Sequence, residues 1–163
     1  DMTTTNADAD RAAKVRATFD YADGVLIHKL ETRGGRIKGC AAAGTLTEKG
    51  YVNVRFAGRP RKAHRLIFLW HFGWLPEMID HIDGNKSNNR IENLRACDKS
   101  QNGMNRHSAI GSTGYRNVYR RRSTYYVSLR KNGEQVSIGK FKSIEDANAA
   151  AEVARREHYG EFA

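Results

Sequence analysis

The stretch Asp80-His81-Ile82-Asp83-Gly84-Asn85-Lys86-Ser87-Asn88-Asn89-Arg90-Ile91-Glu92-Asn93-Leu94-Arg95 decides how this chain is read. It continues an apolar pair, Met78-Ile79, and then passes through Asp83 to Arg90, a polar turn with nothing to bury. Ile91 to Ala96 reads as a returning strand. Asp98-Lys99-Ser100-Gln101 reads as a helix start, with Asp98 capping the backbone and Gln101 at the reciprocal capping-box position. The order is strand, long loop, strand, helix. Asn93 follows His81 by twelve positions, and Asn102, in the first turns of the helix, follows Asn93 by nine. In this order Asp80 and Asn102 can meet across the hairpin and helix.

These residue types suit one chemistry. An Asp carboxylate and an Asn amide oxygen are hard ligands, fit for Mg²⁺ or Mn²⁺. A neutral imidazole beside them can take a proton from water near pH 7. Phosphodiester hydrolysis needs both parts, a cation to offset charge and a base to make the nucleophile. Taken singly, each residue has an ordinary role. Asp-His pairs are common, Asn-rich turns form because Asn tolerates left-handed backbone, and Asn102 alone is a surface helix residue. The ordered combination carries the functional reading.

Charge points the same way. The chain has 163 residues and a formal net charge of +10. Lys49, Arg55, Arg59, Arg61, Lys62 and Arg65 fall in a stretch without a single acid, and so do the cations from Lys99 to Lys131. Such segregation predicts electropositive stripes and a polyanionic partner. The two cysteines, Cys40 and Cys97, have no CxxC spacing, which speaks against a zinc ribbon or a disulfide framework and for free thiols. No apolar run reaches membrane-spanning length. A cytoplasmic protein, monomeric or weakly dimeric, is expected.

Working outward, residues 1–10 are polar and expected to be disordered. Ala17 to Leu30 contains the turn signal Asp23-Gly24, then Val25-Leu26-Ile27-His28. Gly50 to Phe56 alternates, with Val52, Val54 and Phe56 on one face. Gly58-Arg59-Pro60-Arg61 reads as a turn. Ala63 to Phe72 reads as an apolar helix ended by Gly73 and Pro76. Residues 107–113 read as a polar linker. Beyond it, Tyr115 to Arg120, Tyr125 to Lys131 and Glu134 to Ile138 read as three strands, the last two joined by the hairpin turn Asn132-Gly133. A capped helix follows from Ser143, with Ala147, Ala150, Ala151 and Ala154 at helical spacing. The sheet face opposite that helix is polar and basic.

Asp80-His81-Ile82-Asp83-Gly84-Asn85, Asn88-Asn89-Arg90-Ile91-Glu92-Asn93-Leu94-Arg95 and Ser100-Gln101-Asn102 together resemble the HNH endonuclease family, in its H-N-N variant, and especially the homing endonucleases of phages and introns. Gly50-Tyr51 and Ala63-His64-Arg65-Leu66 resemble what precedes the motif in that group. The resemblance implies a ββα-metal fold over 78–106. It implies that His81 is the general base and Asp80 a metal ligand, and that Asn93 fixes the loop and orients the histidine's backbone contacts. Asn102 stands where many members carry a second His and would be the other metal ligand, with Mg²⁺ favoured. His64 is a further candidate at the phosphate. The C-terminal region resembles the AP2 DNA-binding domain, through Gly114-Tyr115-Arg116-Asn117-Val118, Ile138-Gly139-Lys140-Phe141, the Ala-rich helix and Gly160-Glu161-Phe162-Ala163. That resemblance implies DNA contacts from Arg116, Tyr119, Arg121, Ser128, Arg130, Gln135 and Ser137.

The expectation is an α+β protein with an HNH core over 11–106 and an AP2-like domain over 114–163. It would hydrolyse a phosphodiester bond in double-stranded DNA, nicking one strand per active site, with one divalent metal. The alternative is a DNA-binding regulator with an inactive nuclease core.

Overall fold

The computed structural model describes residues 6–29, 32–33, 36–37, 42–105 and 111–163, with side chains for 6–29, 42–105 and 111–163. The expectations placed on residues 1–5, on Cys40 and on 107–110 lie outside these residues. The chain divides into two compact units, Asp1–Ala96 and Cys97–Ala163. The division falls ahead of the helix that carries Asn102, earlier in the chain than the polar stretch 107–113.

The first unit begins with helix α1 (Asn6–Thr18), so residues 6–10 are helical where disorder was expected. Asp8 lies in the first turn, where an acid complements the helix dipole, and pairs with Arg11 at 3.5 Å. Ala12 and Val15 anchor the helix by burial. Strands β1 (Phe19–Ala22) and β2 (Val25–His28) form the expected antiparallel hairpin. Its turn places Asp23 at φ 46° and Gly24 at φ 84°, the left-handed pair that Asp-Gly supplies at low cost. Short strands follow. β3 (Thr32–Arg33) pairs with β4 (Arg36–Ile37), β5 (Ala42–Ala43) adds to β2, and β6 (Thr45–Leu46) adds to β7 (Val52–Phe56). The stretch read as a turn at 58–61 is instead strand β8 (Arg59–Lys62), paired with β7. The turn itself is Ala57-Gly58, both at positive φ. Pro60 is tolerated because β8 lies at a sheet edge.

Helix α2 (Ala63–Phe72) matches its predicted bounds and ends at Gly73, φ 75°, whose N–H bonds Leu69 O. Leu66, Ile67, Phe68 and Leu69 pack with Val15, Phe19, Leu26, Val54 and Leu94 in one core. β9 (Met78–His81) and β10 (Leu94–Cys97) pair with each other. The returning strand starts later than its apolar pattern implied, because Ile91–Asn93 form a 3₁₀ turn closed by Asn93 N–H to Arg90 O at 2.9 Å.

In the second unit α3 (Lys99–Met104) carries the full capping box between Asp98 and Gln101. The antiparallel sheet is β11 (Val118–Arg121), β12 (Thr124–Lys131) and β13 (Glu134–Phe141). β11 starts at Val118 rather than Tyr115 because Asn117 sits at φ 67°. β13 runs past Ile138, since a register shift at Val127/Ser128 absorbs one extra residue. Helix α4 (Ile144–Tyr159) starts on Ser143, whose hydroxyl accepts from the amides of Glu145 and Asp146. Ala147 and Ala151 pack on Val118 and Val127, small side chains that bring helix and sheet close. No helix among the described residues is long and apolar enough to cross a membrane.

Gly24 tests this packing. A Cβ there would lie 2.7 Å from Arg90 N and 2.9 Å from Asn89 C, on top of the left-handed φ. Gly24→Ala is therefore expected to cost more than about 1 kcal/mol in denaturant unfolding. Gly103→Ala, inside α3 with nothing within 4 Å of its added methyl, should instead be neutral or stabilising.

Candidate active site

Two elements carry the site in the first unit. β9 delivers Asp80 and His81, which are 7% and 5% exposed, and the polar loop returns to them. That loop is held from within. Asp83 Oδ1 accepts the Asn85 amide at 2.8 Å, and Asn85 Oδ1 accepts the Ser87 amide at 3.1 Å. Asn88 Nδ2 donates to Asp83 Oδ2 at 2.7 Å. Asn93 closes the set. Its Oδ1 accepts the Asp83 amide at 3.0 Å, and its Nδ2 donates to Asp83 Oδ1 at 2.9 Å and to Asn88 O at 2.8 Å. Ile82 N–H bonds Asn93 O at 2.9 Å. Partial desolvation works against a charged Asp83, but hydrogen bonds from Asn88, Asn93 and the Asn85 amide, with the nearby His81, outweigh it and hold the carboxyl below the usual range.

The His81 ring is held by a residue that the sequence reading took for part of a turn. Asn89, 3% exposed, places Oδ1 3.0 Å from His81 Nε2. Asn93 does not touch the ring through these bonds; its side-chain amide is committed to Asp83 and Asn88. Arg95 is the other residue that was missed. Its Nε and Nη2 donate to Asp80 Oδ2 at 3.0 and 2.8 Å, and both side chains are nearly buried. A register for the hairpin, set by the Ile82–Asn93 bond, is the signal that would have paired Arg95 with Asp80. Nothing in the Asn88-Asn89 dipeptide distinguishes the member that turns outward from the one that turns in.

His64, at the start of α2, stacks edge-on against His81 at 5.0 Å between ring centroids, and Tyr51 lies 5.5 Å from His64. His64 is buried and its Nδ1 has no hydrogen-bond partner. Burial first, then the neighbouring charges of His81, Arg65 and Lys62, push its pKa down to about 3. It is a neutral imidazole at physiological pH. Lys62 Nζ stands 3.8 Å from the Tyr51 ring and Lys86 Nζ 5.1 Å from it, so two cations border the histidines.

The Asp80 carboxylate is a hard oxygen donor of the kind that a divalent cation takes. Asn102 lies on α3, in the second unit. Within that unit, Ser100 Oγ meets the Asn132 side chain and backbone amide at 3.3 and 3.1 Å, tying α3 to the β12–β13 turn. Among the described residues no group of three or more His, Cys, Asp or Glu side chains gathers.

The remaining expected residues, Arg116 apart, sit on the second unit's sheet. Tyr119, Tyr126 and Lys140 pair across the strands, as do Ser128 with Ser137 and Arg130 with Gln135. These rows alternate with the rows of buried Val118, Val127 and Leu129 and half-buried Val136, so Tyr119, Arg121, Ser128, Arg130, Gln135 and Ser137 share the face turned away from α4. Arg116 does not join them. It lines an open cavity with Arg155 and Arg156 of α4, because the left-handed Asn117 interrupts the alternation before β11. Burial, then the adjacent Arg155, lowers its pKa.

Comparison with known proteins bears first on the middle of the chain. Residues 61–104 match a family described as HNH endonuclease, and an HNH endonuclease domain is recognised there. An uncharacterized HNH endonuclease of Acanthamoeba polyphaga mimivirus is 34% identical over 103 residues, which are 61% of this chain and 54% of that protein. The chain thus spans about half the length of that relative. No solved structure matches it.

The buried His64 makes a stability prediction. Its folded pKa lies below the value of 6.5 that it regains on unfolding, so the unfolded chain binds the extra proton between about pH 6.5 and 3. Its contribution to stability is therefore complete above pH 6.5 and falls as pH drops, by up to about 1.4 kcal/mol per pH unit. Urea denaturation between pH 7 and 4.5 should show a shallower loss for His64→Phe than for the parent protein.

Proposed function

We propose that this chain is a metal-dependent endonuclease of the homing type that hydrolyses a phosphodiester bond in double-stranded DNA. The observation that carries the reading is the His81 ring, buried beside Asp80 and held through one nitrogen by Asn89, in the family-matched segment. An oriented imidazole next to a carboxylate is what the generation of a water nucleophile requires. His81 takes a proton from water. The oxygen so formed attacks phosphorus, the bond to the leaving oxygen breaks, and that oxygen is protonated from solvent. Asp80 would hold the divalent cation, Mg²⁺ or Mn²⁺, which supplies charge stabilisation at the phosphate when bound; Asn102, the other ligand that the family resemblance implies, lies in the second unit. Arg95 fixes the orientation of the Asp80 carboxylate, and Lys62 and Lys86 border the site where phosphate charge arrives. With one Asp-His-Asn constellation in the sequence, each active site nicks one strand.

The second unit is proposed as an AP2-like module that holds or chooses the target. Support comes from a three-stranded sheet backed by one helix, with Tyr119, Arg121, Ser128, Arg130, Gln135 and Ser137 on its open face. Arg and hydroxyl or amide side chains on such a face can bond phosphates and base edges. Arg116 is reassigned from base reading to a contact on the α4 side.

His81→Ala should abolish cleavage and leave DNA affinity within a few-fold, because one imidazole makes the nucleophile while many cations make the affinity. A variant that cuts at the parental rate removes His81 from the chemistry. Replacing Arg121 and Arg130 by Gln should lower the slope of log binding constant against log salt by about one for each phosphate no longer neutralised. An unchanged slope, measured by titration at several salt concentrations, would take this face away from DNA.

A further inference from the structure

We propose that Asn89 is the positioning residue that sets the tautomer of His81, and that the β1–β2 hairpin, outside the family-matched segment, holds Asn89 at its post. The proposal rests on the nuclease reading given above and concerns which nitrogen of His81 acts as the base.

Asn89 Oδ1 has no proton to give. With the Asn89 amide turned so that Oδ1 faces the ring, two acceptors 3.0 Å apart would repel, and His81 Nε2 carries the hydrogen and donates it to Asn89. In the neutral ring the lone pair then resides on Nδ1, which becomes the nitrogen able to accept a proton from water. Both partners are almost fully buried, and in that setting solvent does not replace an acceptor that is removed. This is the arrangement in which a base is oriented by a third group.

Asn89 can do this only if its backbone is fixed, and the fixing comes from far away in sequence. Gly24, at the tip of the β1–β2 turn, lies so close to the Asn89–Arg90 peptide that no Cβ fits between them. Tyr21, on β1, accepts the Ile91 amide with its hydroxyl at 3.0 Å. These two contacts grip the segment on both sides of Arg90. Tyr21 is in turn seated against Trp70 and His71 of α2. The His81 ring also meets His64, from α2, at 5.0 Å between centroids. The hairpin and α2 together fix both the ring and the acceptor that selects its tautomer.

The test reads the tautomer directly. Long-range ¹⁵N–¹H correlation on uniformly ¹⁵N-labelled, full-length protein, at a pH where His81 is neutral, distinguishes Nε2–H from Nδ1–H without reference to activity. The parent protein should show the Nε2–H form. Asn89→Leu, of similar size but without an acceptor, should show a mixture and lose about tenfold or more in single-turnover cleavage, with DNA affinity unchanged. Asn89→Asp keeps an acceptor at the same place and should retain the Nε2–H form even if the Leu variant does not fold. An Nδ1–H ring in the parent or in Asn89→Asp overturns the proposal, as does an Asn89→Leu protein with an unchanged tautomer. Absence of cleavage in the parent would instead fault the nuclease reading, while the tautomer would still be read.

Discussion

The structure of the candidate site depends on one side chain, the amide of Asn93. It makes three hydrogen bonds, to the Asp83 amide, to the Asp83 carboxylate and to the Asn88 carbonyl. A loop from Asp83 to Arg90 has no apolar residues with which to hold its shape. Its conformational entropy must be offset by polar contacts instead. Asn is suited to this because its amide offers both a donor and an acceptor on a short stem. With the loop closed in this way, Asn89 faces inward and reaches His81. The 3₁₀ turn at Ile91–Asn93, which delays the returning strand, is what swings Asn93 back over the loop it closes.

A second constraint is electrostatic. Asp80 pairs with Arg95 at 2.8 Å and His81 packs on His64 at 5.0 Å between centroids, all four side chains held largely out of water. A buried ion pair such as Asp80–Arg95 contributes little net stability, yet removing one partner costs several kcal/mol, about 3–5. The pair therefore acts as a clamp on the direction of the carboxylate. His64 responds to the same environment by staying neutral, which lets it pack against His81 without adding charge. The lysines stay at the rim, where Lys62 and Lys86 face the Tyr51 ring. Cations at the edge and desolvated polar groups within suit a site that draws in a phosphodiester and then excludes bulk water from it.

Much of this was legible in the residues. The Asp23-Gly24 hairpin, the α2 boundaries and the Asp98–Gln101 capping box follow from local rules of turn and cap chemistry, and all three are present. The sheet face opposite the helix was read as polar and basic, and the register puts Ser128, Arg130, Gln135 and Ser137 together there. Local rules failed where backbone geometry departs from the regular pattern. Asn117 in left-handed conformation moved Arg116 off the sheet face. Gly58-Arg59-Pro60-Arg61 has turn composition, but Ala57-Gly58 makes the turn and frees the rest to pair as an edge strand. The start of α1 at Asn6 rests on burial of Ala12 and Val15, which a polar terminus conceals. Asn89 and Arg95 were invisible for another reason. Their partners are set by contacts across the hairpin and from β1, and no spacing rule within the motif encodes those.

The most direct test of the account is incubation of purified protein with supercoiled plasmid, with added Mg²⁺ or Mn²⁺ in one arm and an excess of chelator in the other. The account predicts that open circles accumulate before linear product in the metal arm and that the chelated arm stays supercoiled. Plasmid left intact with either metal, or cut equally well under chelation, would contradict it.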